Sequence, residues 1–240
     1  MTETNNISEQ QQESKVISGV ISNSISTELD ELVEVREKIL QKTRKIIQLS
    51  SKIINDIHNS KSEPEHVEEL KKKVNEISEI TAGHPRIAHA PYVDSALGEY
   101  CEALLFLAII NDEMIPSPGE LSVDSVPYLL GMGDVVGELR RYILSYLKEN
   151  NTETALLYFG KMEAVYNFLA TFHYPKAVVD VRRKKDVARS LLEKTLGELV
   201  VARSNHDLSE RMSEFGKDSL EVVSGIGGSD RTGEVRGQVQ

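Results

Sequence analysis

The chain has 240 residues, a formal net charge of −10, a single cysteine and no tryptophan. With 28% charged and 5% aromatic residues, and few glycines or prolines in its middle, it suits long helices better than a sheet. One cysteine excludes an internal disulfide framework, and the net charge argues against a nucleic-acid surface spread over the whole molecule.

The charge is unevenly distributed. Residues 1–35 hold seven acids and one base, and residues 204–240 hold seven acids and four bases, which leaves 36–203 at −1. Any surface for polyanions is therefore local. No run approaches the roughly 18 apolar residues of a membrane span. The polar, acidic beginning lacks the basic-then-apolar order of a leader. The expectation is a soluble, cytoplasmic protein without membrane contact.

Residues 1–27 are rich in Ser, Asn, Gln and Glu and read as a disordered arm. A long helical pattern starts at Ser26-Thr27-Glu28. Its apolar positions Leu29, Leu32, Val33, Ile39, Leu40, Ile46, Ile53, Ile54 and Ile57 recur at spacings of three and four. Arg36, Arg44 and Lys45 interleave with them and are candidates for holding a phosphate backbone, against the plainer alternative of a solvated helix face. Residues 59–63 break the pattern, and Pro64 suits the first turn of a second helix over 65–80. An irregular connection follows, with His84 and His89 read as solvated rather than as metal ligands. The third helix covers 92–110. A turn around Pro116 and Pro118 leads to a fourth helix, capped by Asp124 or Ser125 and running to 147. Asn150-Asn151 separates it from a fifth over 152–171. After His173-Tyr174-Pro175 a last helix covers 176–203, and 204–240 reads as a flexible tail. No strand is expected. The chain reads as an all-α domain over 28–203, with six or seven helices.

Two of these helices carry acids in otherwise apolar surroundings. Glu99 and Glu102 are three apart at the head of an unbroken apolar run that begins at Ala103. Asp134 and Glu138 are four apart on the next long helix, beside Val135, Val136 and Leu139. Each spacing puts both carboxylates on one helix face. Burying ionised carboxylates without a partner is costly, and a cation between them offsets that cost. Four hard oxygen donors suit Mg²⁺ or Mn²⁺. The absence of Glu-x-x-His from the two acid-bearing helices counts against a di-iron bundle. The competing reading has the acids pairing on the surface with Arg140, Arg141 or Lys161. Within the same helix, Gly131, Gly133 and Gly137 leave room for a neighbouring backbone or a ligand. Cys101 reads as a small buried apolar residue.

The run Gly98-Glu-Tyr-Cys-Glu-Ala, followed by Pro127-Tyr-Leu-Leu-Gly-Met-Gly-Asp-Val-Val-Gly-Glu-Leu-Arg-Arg, resembles the translin family. Within that family it is closer to the translin-associated factor X branch than to translin proper. The resemblance extends over about 30–203. It implies an all-helical fold and a hollow homo-oligomer, often an octamer, that encloses RNA. It also implies an Mg²⁺-dependent endoribonuclease acting on single-stranded RNA, with DNA as a further ligand of the family. Glu99, Glu102 and Asp134 fall on the catalytic acids, and Glu138 matches as a fourth metal ligand. Arg36, Arg44, Lys45, Arg140, Arg141, Arg182 and Arg183 are the candidate nucleic-acid contacts. The alternatives are a non-catalytic single-stranded RNA- or DNA-binding protein of the translin kind and a helical interaction protein whose acids only solvate a face.

Overall fold

The structure, a computed structural model, describes residues 3–61 and 64–226, with side chains over 19–61 and 64–209 and at Arg211 and Met212. Among these residues there are seven α-helices and no strand: α1 (Glu3–His58), α2 (Pro64–Thr81), α3 (Pro85–Ala88), α4 (Pro91–Ile110), α5 (Ser125–Lys148), α6 (Thr152–Ala170) and α7 (Val181–Ile226). The fold is all-α, as the periodicity predicts. No helix among the described residues is long and apolar enough to cross a membrane.

Helices α4 and α5 form the centre. α5 packs on α4, α6 and α7, while α4 also packs on α1, which in turn carries α2. The reason lies in the apolar run of α4. An amphipathic stripe needs one neighbour, but a helix apolar on every side must be covered all round. Ala103, Leu104, Leu105, Phe106, Ala108 and Ile109 are all buried. Phe106, Leu105, Ile39, Leu139, Ile143 and Met162 are among the largest fully buried side chains. Each contributes about 1.5–3 kcal/mol relative to exposure.

Three helices end in the same way without glycine. Ser60, Asp112 and Asn150 follow α1, α4 and α5 with φ near 54°, 56° and 58°. Each left-handed residue turns the chain so that the next N–H reaches back to an orphan carbonyl. Lys61 donates to Asp56, Glu113 to Ala108 and Asn151 to Tyr146, all at 2.8–2.9 Å. This closes the helix as a Schellman turn does. Asn151 then caps α6, its side-chain oxygen accepting from the Thr154 N–H at 3.1 Å.

Both long terminal helices differ from the sequence reading. α1 is helical from Glu3 rather than from residue 28, so the described part of the segment read as a disordered arm, 3–27, is helical backbone. No proline and only Gly19 interrupt the sequence from Glu3 to His58. Val20, Ile21, Ile25, Leu29 and Val33 are exposed, so this part of α1 is helical without being packed. α7 begins at Val181 rather than at 176, because Val178 and Val179 both donate to the Pro175 carbonyl in a turn. It continues to Ile226, past the end expected at 203, leaving Leu196, Val200, Val201, Leu208 and Met212 exposed. The part of the expected tail after residue 226 lies outside the described residues. The connection before α4, expected to be irregular, contains the single turn α3.

Candidate acidic site between α4, α5 and α7

Gly131 sets the distance between the two central helices. A Cβ there would lie 2.5 Å from the Gly98 carbonyl oxygen, 2.7 Å from the Cys101 Cβ and 2.9 Å from the Glu102 nitrogen. No side chain fits that gap, so α5 rests directly on the backbone of α4 at the level of the acids. The four carboxylates expected from the sequence then line one cavity of about 750 Å³: Glu99 and Glu102 from α4, Asp134 and Glu138 from α5.

The negative charge in this cavity is poorly compensated. Glu102 is buried, at 8% exposure, and its carboxyl is pushed up to about 8. Burial is the largest cause, followed by the like charges of Asp134, Glu99 and Glu138. Glu99 is shifted upward too, again by burial first and then by Asp134. Lys184 pulls both the other way.

Lys184 and a histidine are the site residues that sequence reasoning missed. The Lys184 ammonium lies 2.5 Å from both oxygens of Asp134. Its aliphatic stem runs across α5 where Gly133 leaves space, since a Cβ there would meet the lysine's own Cβ, Cγ and Cδ at 2.8–3.0 Å. The signal lay in spacing. Val181 and Ala188 are buried three before and four after Lys184, which puts this lysine, unlike Arg182 and Arg183, on the packed face of α7. His58, the last residue of α1, places Nε2 2.5 Å from the Glu138 carboxylate. Its ring is packed against Phe106 and Tyr142, with centroids at 5.3 and 5.8 Å. It continues the Ile54 stripe by one helical turn, a pattern that reads equally as core.

The other expected contacts are dispersed. Arg140 donates to both Glu198 oxygens at 2.8 and 2.9 Å and to Thr195 at 2.7 Å, tying α5 to α7. Arg141 is exposed at the rim, 3.7 Å from Glu138. Arg36 lies beside Glu37 at 2.5 Å, with its guanidinium 6.0 Å from the Tyr92 ring in the first turn of α4. Arg44 and Lys45 are exposed on α1, and Arg182 and Arg183 on α7. Gly131 and Gly133 are explained by close packing, whereas Gly137 has open space where a Cβ would stand. Cys101 is fully buried, and that burial pushes its thiol up to about 12, as expected of a core residue.

An all-oxygen donor set whose negative charge is only partly compensated is chemically suited to a hard divalent cation. Among the described residues, no three His, Cys, Asp or Glu side chains are gathered closely enough to hold one. Asp134 is instead held by the Lys184 ammonium. The acids fit such a cation by chemistry, in an arrangement opened out around the lysine.

Comparison with known proteins agrees with this architecture. The model of the translin family matches residues 27–196, and the chain belongs to that family. An uncharacterized protein of Methanocaldococcus jannaschii is 38% identical over 183 residues, covering 74% of this chain and 81% of its own. Among solved structures, apo-NeC3PO superposes with a TM-score of 0.66 at 25% identity, covering 84% of this chain and 98% of that one. AfC3PO in a complex with duplex RNA gives 0.62 at 29% identity, covering 76% of this chain and 96% of that one.

Proposed function

We propose that the protein is a metal-dependent endoribonuclease of the translin-associated factor X kind, acting on single-stranded RNA within a homo-oligomer. The observation that carries this reading is the convergence of four carboxylates from two central helices on one cavity, with Glu102 buried among them. Membership of the translin family and likeness to a structure of AfC3PO with RNA support nucleic acid as the ligand. Glu99, Glu102, Asp134 and Glu138 would hold Mg²⁺ or Mn²⁺. Such an ion would neutralise charge on a phosphodiester and make a bound water easier to deprotonate, and so a better nucleophile.

The chain's own residues prepare that chemistry. Gly131 fixes the separation of α4 and α5, so Glu99 and Glu102 are presented from a helix that has no room to shift toward its neighbour. His58 holds Glu138, and Lys184 holds Asp134, each through a short polar contact. Exposed cations at the rim and on α1, Arg141 and Arg36 among them, would bind phosphates by charge without reading sequence.

Incubation of the purified protein with labelled single-stranded RNA, with and without Mg²⁺, tests the reading. Wild type is expected to cut only with the metal, and Glu102→Gln to bind RNA but cut it orders of magnitude more slowly. Equal cleavage by both proteins would remove these acids from the mechanism. Binding without cleavage by wild type would favour the non-catalytic alternative. The exposed apolar residues of α1 and α7 leave surface for subunit contacts, and light scattering at micromolar concentration is expected to give a mass well above a dimer.

A further inference from the structure

A second cavity, of about 600 Å³, lies where the connection from α6 enters α7. Its walls are of two kinds. One wall is aromatic, built from Phe172 and Tyr174. Their rings stack at a centroid separation of 6.5 Å, and Tyr174 is 55% exposed. The other wall is the α7 face carrying Arg182, Lys185 and Arg189, three cations against the single carboxylate of Asp186.

The cavity is held in shape. Lys185 donates to the Phe172 carbonyl at 2.7 Å, pinning the connection to α7. Arg189 donates through Nε to the Tyr166 hydroxyl at 3.1 Å, which leaves its terminal amino groups without a hydrogen bond among the described residues. Arg182 is exposed and makes no hydrogen bond or ion pair among the described residues. A flat ring face beside cations that form no salt bridge among the described residues matches the two halves of a nucleotide, the base and the phosphate. Stacking on an aromatic side chain requires a base that is free of its own stack, which a single strand offers and a duplex does not.

We propose that this cavity is a subsite for one nucleotide of single-stranded RNA, its base on Tyr174 and its phosphate at Arg182 and Arg189. The inference rests on the nucleic-acid reading above and adds a place to it. α7 supplies both sites from one turn: Lys184 enters the acidic cavity, while Arg182 and Lys185 face the aromatic wall. A strand gripped here lies one helix face away from the acids.

Fluorescence anisotropy with a labelled 12-nucleotide single strand and a 12-base-pair RNA duplex, each at several salt concentrations, tests the subsite. Tyr174→Ala is expected to weaken single-strand binding about 5- to 100-fold with the duplex and the salt slope unchanged. Tyr174→Phe keeps the ring and is expected to bind as wild type. Arg182→Ala is expected to flatten the single-strand salt slope by about 0.7. Thermal melts establish that the variants are folded. Uridine monophosphate, added as competitor, separates a strand from a free nucleotide. Displacement of the strand by micromolar monophosphate would overturn the strand assignment. Wild-type affinity in folded Tyr174→Ala would overturn the subsite while leaving the nucleic-acid reading intact, and failure of wild type to bind either RNA would sink both.

Discussion

Replacing Glu102 by Gln separates the electrostatic account from simple packing, because it keeps the shape of the side chain and removes its charge. Glu102 is buried, and its carboxyl is raised from 4.5 to about 8. The raised value fixes the sign. The unfolded chain releases this proton near 4.5, whereas the folded protein retains it until about 8. The folded state therefore holds more protons between those values, and its stability falls as pH rises through the interval. At 1.36 kcal/mol per pH unit, the wild-type penalty in the absence of metal is under about 1 kcal/mol at pH 5 and about 4 kcal/mol at pH 8. Glutamine carries no such penalty. Thermal unfolding in a chelator should show the variant little changed at pH 5 and melting higher at pH 8, by on the order of 10 °C for a chain of this size. A variant less stable at both values, or equally shifted at both, would refute the argument that like charges and burial strain this site.

Lys184→Met removes the ammonium that holds Asp134 and keeps an apolar stem for the Gly133 groove; it should lower stability without metal by about 1–3 kcal/mol, and magnesium titrations followed by melting temperature should saturate at lower concentration than in wild type. Gly131→Ala should destabilise by about 1–3 kcal/mol or more through overpacking, while Gly137→Ala, with open space for its Cβ, should stabilise by about 0.5–1 kcal/mol; urea midpoints measure both. Replacing Arg36, Arg44 and Lys45 together by Ala should reduce the log–log salt slope of single-strand binding by about 0.7 for each phosphate that these cations neutralise in wild type, and an unchanged slope would assign all three to a solvated face.

The central elements were legible because burial writes itself into the pattern. Eight consecutive apolar residues from Ala103 have no solvent face, so the element containing them had to be central, and acids at its head had to be close to that core. Glycine spacing on α5 was also readable as close approach, though not which neighbour approached. The sequence was silent on what the acids touch. Lys184 sits in a basic run whose first two members, Arg182 and Arg183, are exposed, and the burial of Val181 and Ala188 sets it apart from them. Arg140 read as a nucleic-acid contact or a partner of the site acids, yet its fork is taken by Glu198, 58 residues further along the chain. The ends of α1 and α7 were misplaced for a different reason. Apolar periodicity marks where a helix is packed within its own chain, and both helices continue where they pack on nothing described.

The arrangement at Glu102 also dictates how a metal must compete. The α4 backbone is packed directly on Gly131, which brings Glu99 and Glu102 close to the acids of α5 and concentrates their charge. Two things can relieve it: a proton on the buried acid or a cation among the four. Lys184 offers only partial relief, since it lowers Glu102 less than burial and the three neighbouring acids raise it. At neutral pH the proton holds the position, so a divalent cation binding there must expel it. Affinity for Mg²⁺ should then rise with pH up to about 8 and level off above, with about one proton released per site in differently buffered calorimetric titrations. Glu102→Gln should lose both the pH dependence and the proton release. Metal binding that is independent of pH between 6 and 8 would place the cation away from Glu102.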